Sequence, residues 1–188
     1  MMAGMKMDPL RLAAFCAYLV SWLVLVVAAG AGAIPRRGRV SSVSLDGRVV
    51  AGTLMQAGSA LVITLTLGDG PLRPTRLELA GTLALCPLAA AMFVWALRST
   101  PEGSGEKLAT GGAYAWLRHP IYLAFLAMLV ATGLLASSGV KLAVAAGLYV
   151  AGTEMRVAFE EAELAGRFPD EYAQYRRRVR WRYLPGLR

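Results

Sequence analysis

Long uncharged runs separated by short charged connectors set the pattern of this chain. Leu12–Ala33 holds 22 residues without a charge, Val49–Leu67 holds 19, and Leu79–Leu97 holds 19 between Glu78 and Arg98. Ile121–Val140 adds 20 and Leu142–Thr153 adds 12. A helix needs about 20 predominantly apolar residues to cross roughly 30 Å of hydrocarbon, so the first four runs predict membrane spans. The fifth is short, but Met155, Val157, Ala158 and Phe159 extend it if Glu154 and Arg156 face protein rather than lipid. The pattern predicts an all-α integral membrane protein of about five transmembrane helices, ending in a C-terminal helical hairpin and a cytoplasmic amphipathic tail.

The residues between the runs refine this picture. Gly30, Gly32 and Pro35 end the first span, because proline cannot continue the helix behind it. Ser41–Gly47 reads as a polar connector with an Asp46-Gly47 turn, and Val40, Val43 and Leu45 alternate enough for a short extended segment. Asp69-Gly70-Pro71 and Arg73-Pro74 mark the next turn, and Pro87 predicts a kink in the third span. Small residues at helical spacing, Ala124, Ala127 and Ala131 facing Ala143, Gly147 and Ala151, predict a closely packed hairpin. Beyond it, Tyr172, Tyr175 and Val179 form an apolar stripe on a charged helix over 170–179. The natural division is an N-terminal three-helix scaffold (1–98) and a functional region (99–188).

Composition agrees with the runs: 56% of residues are hydrophobic, 17% are charged and the mean hydropathy is +0.50. The formal charge of +8 therefore speaks of orientation rather than nucleic acid. Cytoplasmic loops collect Lys and Arg. Arg36, Arg37, Arg39 and Arg48, then Arg98, Lys107 and Arg118, then the arginine-rich tail fall on one side, predicting an outside N-terminus and an inside C-terminus. Arg176–Arg178 fits an anchor to anionic lipid heads. Lys6, Arg11 and Ala31-Gly32-Ala33 carry elements of a cleaved signal peptide, but the first run is long for one and arginines follow it. Cys16 and Cys86 both lie within spans without metal-ligand spacing, and read as unpaired thiols.

The chemistry concentrates at two places. Tyr114, Arg118, His119 (the single histidine) and Tyr122 stand before the fourth span, and Glu154, Arg156, Glu160 and Glu161 close the fifth. Charge at a span's mouth is costly unless paired, which marks a functional site. Arg156 and Glu160, four apart, share a helix face. Taken alone they read equally as a helix-end ion pair and as a carboxylate for a ligand ammonium beside a guanidinium for a ligand anion. Pro120 suits the first helical position, and the free N–H groups there can receive a carboxylate. One histidine is too few for most zinc sites, no Ser-His-Asp or Cys-His arrangement is apparent, and the Gly-rich stretch holding Gly103, Gly105, Gly111 and Gly112 has no Walker pattern or preceding strand. These groups hold a zwitterionic ligand well and hydrolyse poorly, which fits group transfer driven by a cofactor.

Three motifs in order carry a resemblance. Leu108, Thr110, Gly111, Gly112 and Tyr114 precede Arg118-His119-Pro120-x-Tyr122; Arg156-x-x-x-Glu160-Glu161-x-x-Leu164 follows; Phe168-x-x-Glu171-Tyr172-x-x-Tyr175-x-x-x-Val179 and Leu184-Pro185 end the series. Over roughly 108–185 the chain resembles the isoprenylcysteine carboxyl methyltransferase family, integral-membrane enzymes related to phospholipid N-methyltransferases. It departs from the family pattern at Ala124, at Pro169 and in Arg180-Trp181-Arg182-Tyr183. The resemblance implies S-adenosyl-L-methionine bound at the cytoplasmic face and methyl transfer to a lipophilic substrate arriving sideways from membrane lipid. By motif matching, Lys107, Leu108, Ala109, Tyr114, His119, Pro120, Ile121, Tyr122 and Glu160 would line the cofactor, and Arg156, with Arg118, would serve catalysis at the acceptor. An NADPH-dependent reductase of the sterol type and a non-catalytic membrane scaffold remain the alternatives.

Overall fold

The computed structural model describes residues 8–33, 46–68, 73–101, 107–136 and 138–186. Six α-helices account for most of them: α1 (Pro9–Ala33), α2 (Gly47–Gly68), α3 (Arg76–Arg98), α4 (Pro120–Ala136), α5 (Gly139–Arg167) and α6 (Pro169–Arg178), with a short 3-10 turn at Gly112–Ala115. The fold is all-α. The expected extended segment at Val40–Leu45, the turn at Asp69-Gly70-Pro71 and Gly103 with Gly105 lie outside the described residues.

Local chemistry sets the helix starts. Thr75 and Glu78 form a reciprocal capping box on α3, in which each side chain accepts from the other residue's backbone N–H. Asp46 accepts from the Arg48 N–H at 2.8 Å, so Asp46-Gly47 opens α2 rather than forming the expected turn. Pro169 stands at the first turn of α6, with Asp170 and Glu171 beside it and three arginines in the last turn, all favourable to the helix dipole. Pro87 sits inside α3 without ending it.

The hairpin differs from the sequence expectation in two ways. The fourth apolar run ends at Ala136, and Gly139–Lys141 already belongs to α5. With 17 residues α4 is about 26 Å long, a little short of the bilayer core, while α5 has 29 and carries the polar cluster beyond it. The small-residue stripe on α5 also faces outward: Ala143, Gly147 and Ala151 are exposed, and α5 buries Ala145, Tyr149, Gly152 and Thr153 instead. The closest helix approach is therefore elsewhere. An added Cβ on Gly52 would come within 2.6 Å of the Gly152 carbonyl oxygen and 2.8 Å of Arg156 Cγ, so α2 and α5 meet backbone to backbone.

Two packing groups result. Leu25, Cys86, Ala89, Phe93, Ala124, Met128 and Ala131 bury a core between α1, α3 and α4. Ile63, Leu129, Ala145 and Tyr149 bury a second one between α2, α4 and α5. Leu19, Val26, Leu54, Leu61, Leu88 and Val144 project outward, as lipid-facing residues do. By length and apolar composition α1, α3 and α5 can cross a membrane, and α2 and α4 contain shorter apolar helices. Cys16 and Cys86 are free thiols.

Candidate functional site

Between the two packing groups lies a cavity of about 850 Å³. Its inner end is apolar and aromatic, with Trp22, Ile63, Phe125 and Leu129; its other end holds Tyr114, Phe168, Tyr172 and Tyr175. The polar cluster sits between them. Every residue given a cofactor or catalytic role in the sequence lines this space (Lys107, Leu108, Ala109, Tyr114, Arg118, His119, Pro120, Ile121, Tyr122, Arg156 and Glu160), whereas Glu154 and Glu161 of the polar cluster do not.

Glu160 is the centre of the cluster. It accepts from the Tyr122 hydroxyl at 2.5 Å, faces His119 Nδ1 at 3.4 Å and lies 3.6 Å from Arg156 Nη2. About a third of its side chain stays accessible, so the carboxylate can still receive a ligand cation. Arg156 sits with Cζ 5.7 Å from the centre of the Tyr122 ring. Its Nη1 reaches Thr53 Oγ1 at 3.2 Å and Gln56 Oε1 at 3.4 Å, while its Nε is buried and has no hydrogen-bond partner.

Arg118 and Glu161 have a different place. Arg118 donates from Nε to Glu161 Oε1 at 2.8 Å and from Nη1 to the carbonyls of Val179 and Arg180, with its side chain 3% exposed. Its charge is thus engaged by the tail. After α6 the chain runs back beside the start of α4: the N–H groups of Arg118 and His119 donate to the carbonyls of Trp181 and Arg182 at 3.0 and 2.9 Å. Arg182 bonds Glu154 at 2.6 Å and reaches Glu161 at 3.4 Å, and the Tyr183 hydroxyl donates to Glu154 at 2.8 Å. Those residues, Arg182 and Tyr183, are part of the sequence departure noted above, and they fix the cluster from behind.

The rest of the rim is set by packing. Leu108, Tyr114, Leu164 and Phe168 gather on Tyr172, Tyr175 and Val179, and the Tyr175 hydroxyl donates to the Tyr114 carbonyl at 2.7 Å. Gly112 has φ +56°, and an added Cβ would collide with Ser99 at the end of α3. Ser99 Oγ in turn accepts from the Ala113 N–H at 3.1 Å. The glycine serves a close turn that brings Tyr114 onto the cavity.

His119 bridges both carboxylates, with Nε2 3.4 Å from Glu161. Burial alone would lower its pKa, but the two carboxylates in contact with it, Glu160 and Glu161, outweigh burial and raise it. With the folded value above the unfolded one of about 6.5, the imidazolium stabilises the fold fully below that pH and less as pH rises through the raised value. We expect the gap in thermal stability between wild type and His119→Gln to shrink as pH rises above about 6.5. A constant gap would refute the assignment.

Residues 78–166 match the model of the isoprenylcysteine carboxyl methyltransferase (ICMT) family. This region, just under half of the chain, is similar to the ICMT family. A comparison with curated proteins gives no match. The ICMT-family region spans α3, α4 and nearly all of α5, and so includes Arg118, His119, Tyr122, Arg156, Glu160 and Glu161. It leaves out α2 and the tail, which both reach the site. Sequence reasoning missed Thr53, Gln56 and Tyr149, because a lone polar residue in an apolar run gives no signal until a partner helix is placed against it.

Proposed function

We propose that this protein is a membrane-embedded, S-adenosyl-L-methionine-dependent methyltransferase acting on the carboxylate of a lipophilic, isoprenylcysteine-like molecule. The observation that carries the reading is the partly exposed Arg156 guanidinium beside the accessible carboxylate of Glu160, both lining the cavity. A guanidinium beside a carboxylate can take the anionic and cationic ends of bound reactants by charge-assisted hydrogen bonds, each contributing about 1.5–3 kcal/mol. The family match supports the reaction type.

The residues fit the cofactor. Glu160, oriented by Tyr122 and His119, would take the ammonium of its amino-acid end, and the aromatic end of the cavity at Tyr114, Phe168, Tyr172 and Tyr175 would take the adenine. Lys107, Leu108, Ala109, Pro120 and Ile121 would complete that lining. When bound, the cofactor would supply an electrophilic sulfonium methyl to the acceptor oxygen and would be left as a neutral thioether. A carboxylate acceptor carries no proton to remove, so the chain needs no general base. Arg156 holds and orients the carboxylate, and Arg118 positions Glu161 and the tail behind it. Fixing the two reactants in line can contribute effective molarities on the order of 10⁵ M or more. The apolar inner end would receive the lipophilic substituent.

The arginine distribution supports a cytoplasmic site, with the N-terminus outside and exposed Arg176–Arg178 at the lipid headgroups. In this arrangement residues 1–98 frame the site and 99–188 carry most of its chemistry. The test is titration of the detergent-purified protein with S-adenosylhomocysteine and, separately, NADPH, followed by transfer of labelled methyl to N-acetyl-S-farnesylcysteine. We expect saturable S-adenosylhomocysteine binding, none of NADPH, and a base-labile methyl ester as product. NADPH binding alone would return the protein to the reductases, and silence with both would make it a scaffold.

A further inference from the structure

Arg156 does not set its own direction. Gln56, on α2 and outside the ICMT-family match, stands between α5 and the cavity: its Nε2 donates to Thr153 Oγ1 at 2.9 Å and its Oε1 accepts from Arg156 Nη1 at 3.4 Å. Thr153 is fully buried and does not line the cavity. The Thr153 hydroxyl thus fixes the amide, and the amide fixes one end of the guanidinium. The approach of Gly52 to Gly152 brings α2 near enough for this, since a Cβ at Gly52 would strike Arg156 Cγ. With Nη1 held by Gln56 and Thr53, the exposed part of the guanidinium is turned to the cavity for a ligand.

We propose that Gln56 is a specificity-determining positioning residue, which aims Arg156 so that the site distinguishes a lipophilic carboxylate from its uncharged methyl ester. This rests on the methyltransferase reading and adds the way in which substrate is told from product. Charge-assisted hydrogen bonds to the acid vanish in the ester, so an aimed Arg156 favours the acid, and a swinging one loses most of that preference. Distinguishing the two also helps the ester to leave.

The experiment uses the full chain in lipid–detergent micelles and measures binding of N-acetyl-S-farnesylcysteine and of its methyl ester, each in the presence of S-adenosylhomocysteine. Wild type should prefer the acid by about tenfold or more, the ratio that a single charge-assisted contact gives. In Gln56→Leu the preference should fall below about threefold, with S-adenosylhomocysteine affinity unchanged. Thr153→Val, which removes the amide's anchor without touching the cavity, should lower the preference in the same direction, whereas a purely packing role for Gln56 would weaken acid and ester alike. If wild type prefers the acid and both variants keep that preference, the inference is overturned. If wild type binds S-adenosylhomocysteine but shows no preference, Arg156 does not hold a carboxylate and the inference falls with that assignment. If wild type binds no S-adenosylhomocysteine, it is the underlying methyltransferase reading that has failed.

Discussion

Arg118→Met should be the most damaging single substitution to stability, by about 3–5 kcal/mol, because it leaves a buried charge with its main partner gone. Glu161 keeps the longer contacts to His119 and Arg182, each at 3.4 Å, and the Val179 and Arg180 carbonyls lose their donor. Glu161→Gln should cost less, since the amide can still accept from Arg118 and that arginine keeps its two carbonyls. The double change Arg118→Met with Glu161→Leu should recover part of the loss, as removing both members of a buried pair is far milder than removing one. Thermal unfolding in detergent checks the ranking. A near-neutral Arg118→Met would mean that the tail is not held through this arginine.

That result also bears on the catalytic role expected for Arg118 from the sequence. Its motif position is on the cavity wall, but its guanidinium bonds are directed at Glu161 and the tail backbone. Loss of activity in Arg118→Met should therefore follow loss of folded protein, while Arg156→Met should lose activity in protein that still folds.

What was legible in the sequence follows from the physics of each signal. Spans are written in composition, so α1, α2 and α3 fall within a few residues of the uncharged runs. The motif residues around α4 and α5 converge on one cavity because charges at a span's end must find partners. Signals that depend on which helix lies opposite were not legible. Ala143, Gly147 and Ala151 have the right spacing for close packing, but α5 turns that face outward and uses Gly152 against Gly52. The hairpin boundary was misplaced because a run counted by charge continues through Gly139 and Val140 to Lys141, whereas the break at Ser138-Gly139 carries no charge. The tail's return to Arg118 and His119 is held by backbone N–H groups, by the Arg118 guanidinium and by Arg182, and no periodicity announces those pairings.

Glu160→Gln should weaken S-adenosylhomocysteine binding by about 10- to 100-fold, the range for losing a charge-assisted hydrogen bond of about 1.5–3 kcal/mol. The amide is isosteric and can still accept from Tyr122, so the shape of the site is kept and the negative charge alone is removed. The loss should appear as a raised KM for S-adenosyl-L-methionine, because an ammonium is bound alike before and during methyl transfer. Glu171→Gln provides the control: this carboxylate is exposed on α6, away from the cavity, and its neutralisation should leave binding unchanged. Equal affinity in wild type and Glu160→Gln would remove the ammonium from Glu160 and turn this carboxylate into a support for His119 and Arg156. Weakened binding with Glu171→Gln as well would point to the overall field of the charged face around the site, which added salt should then screen.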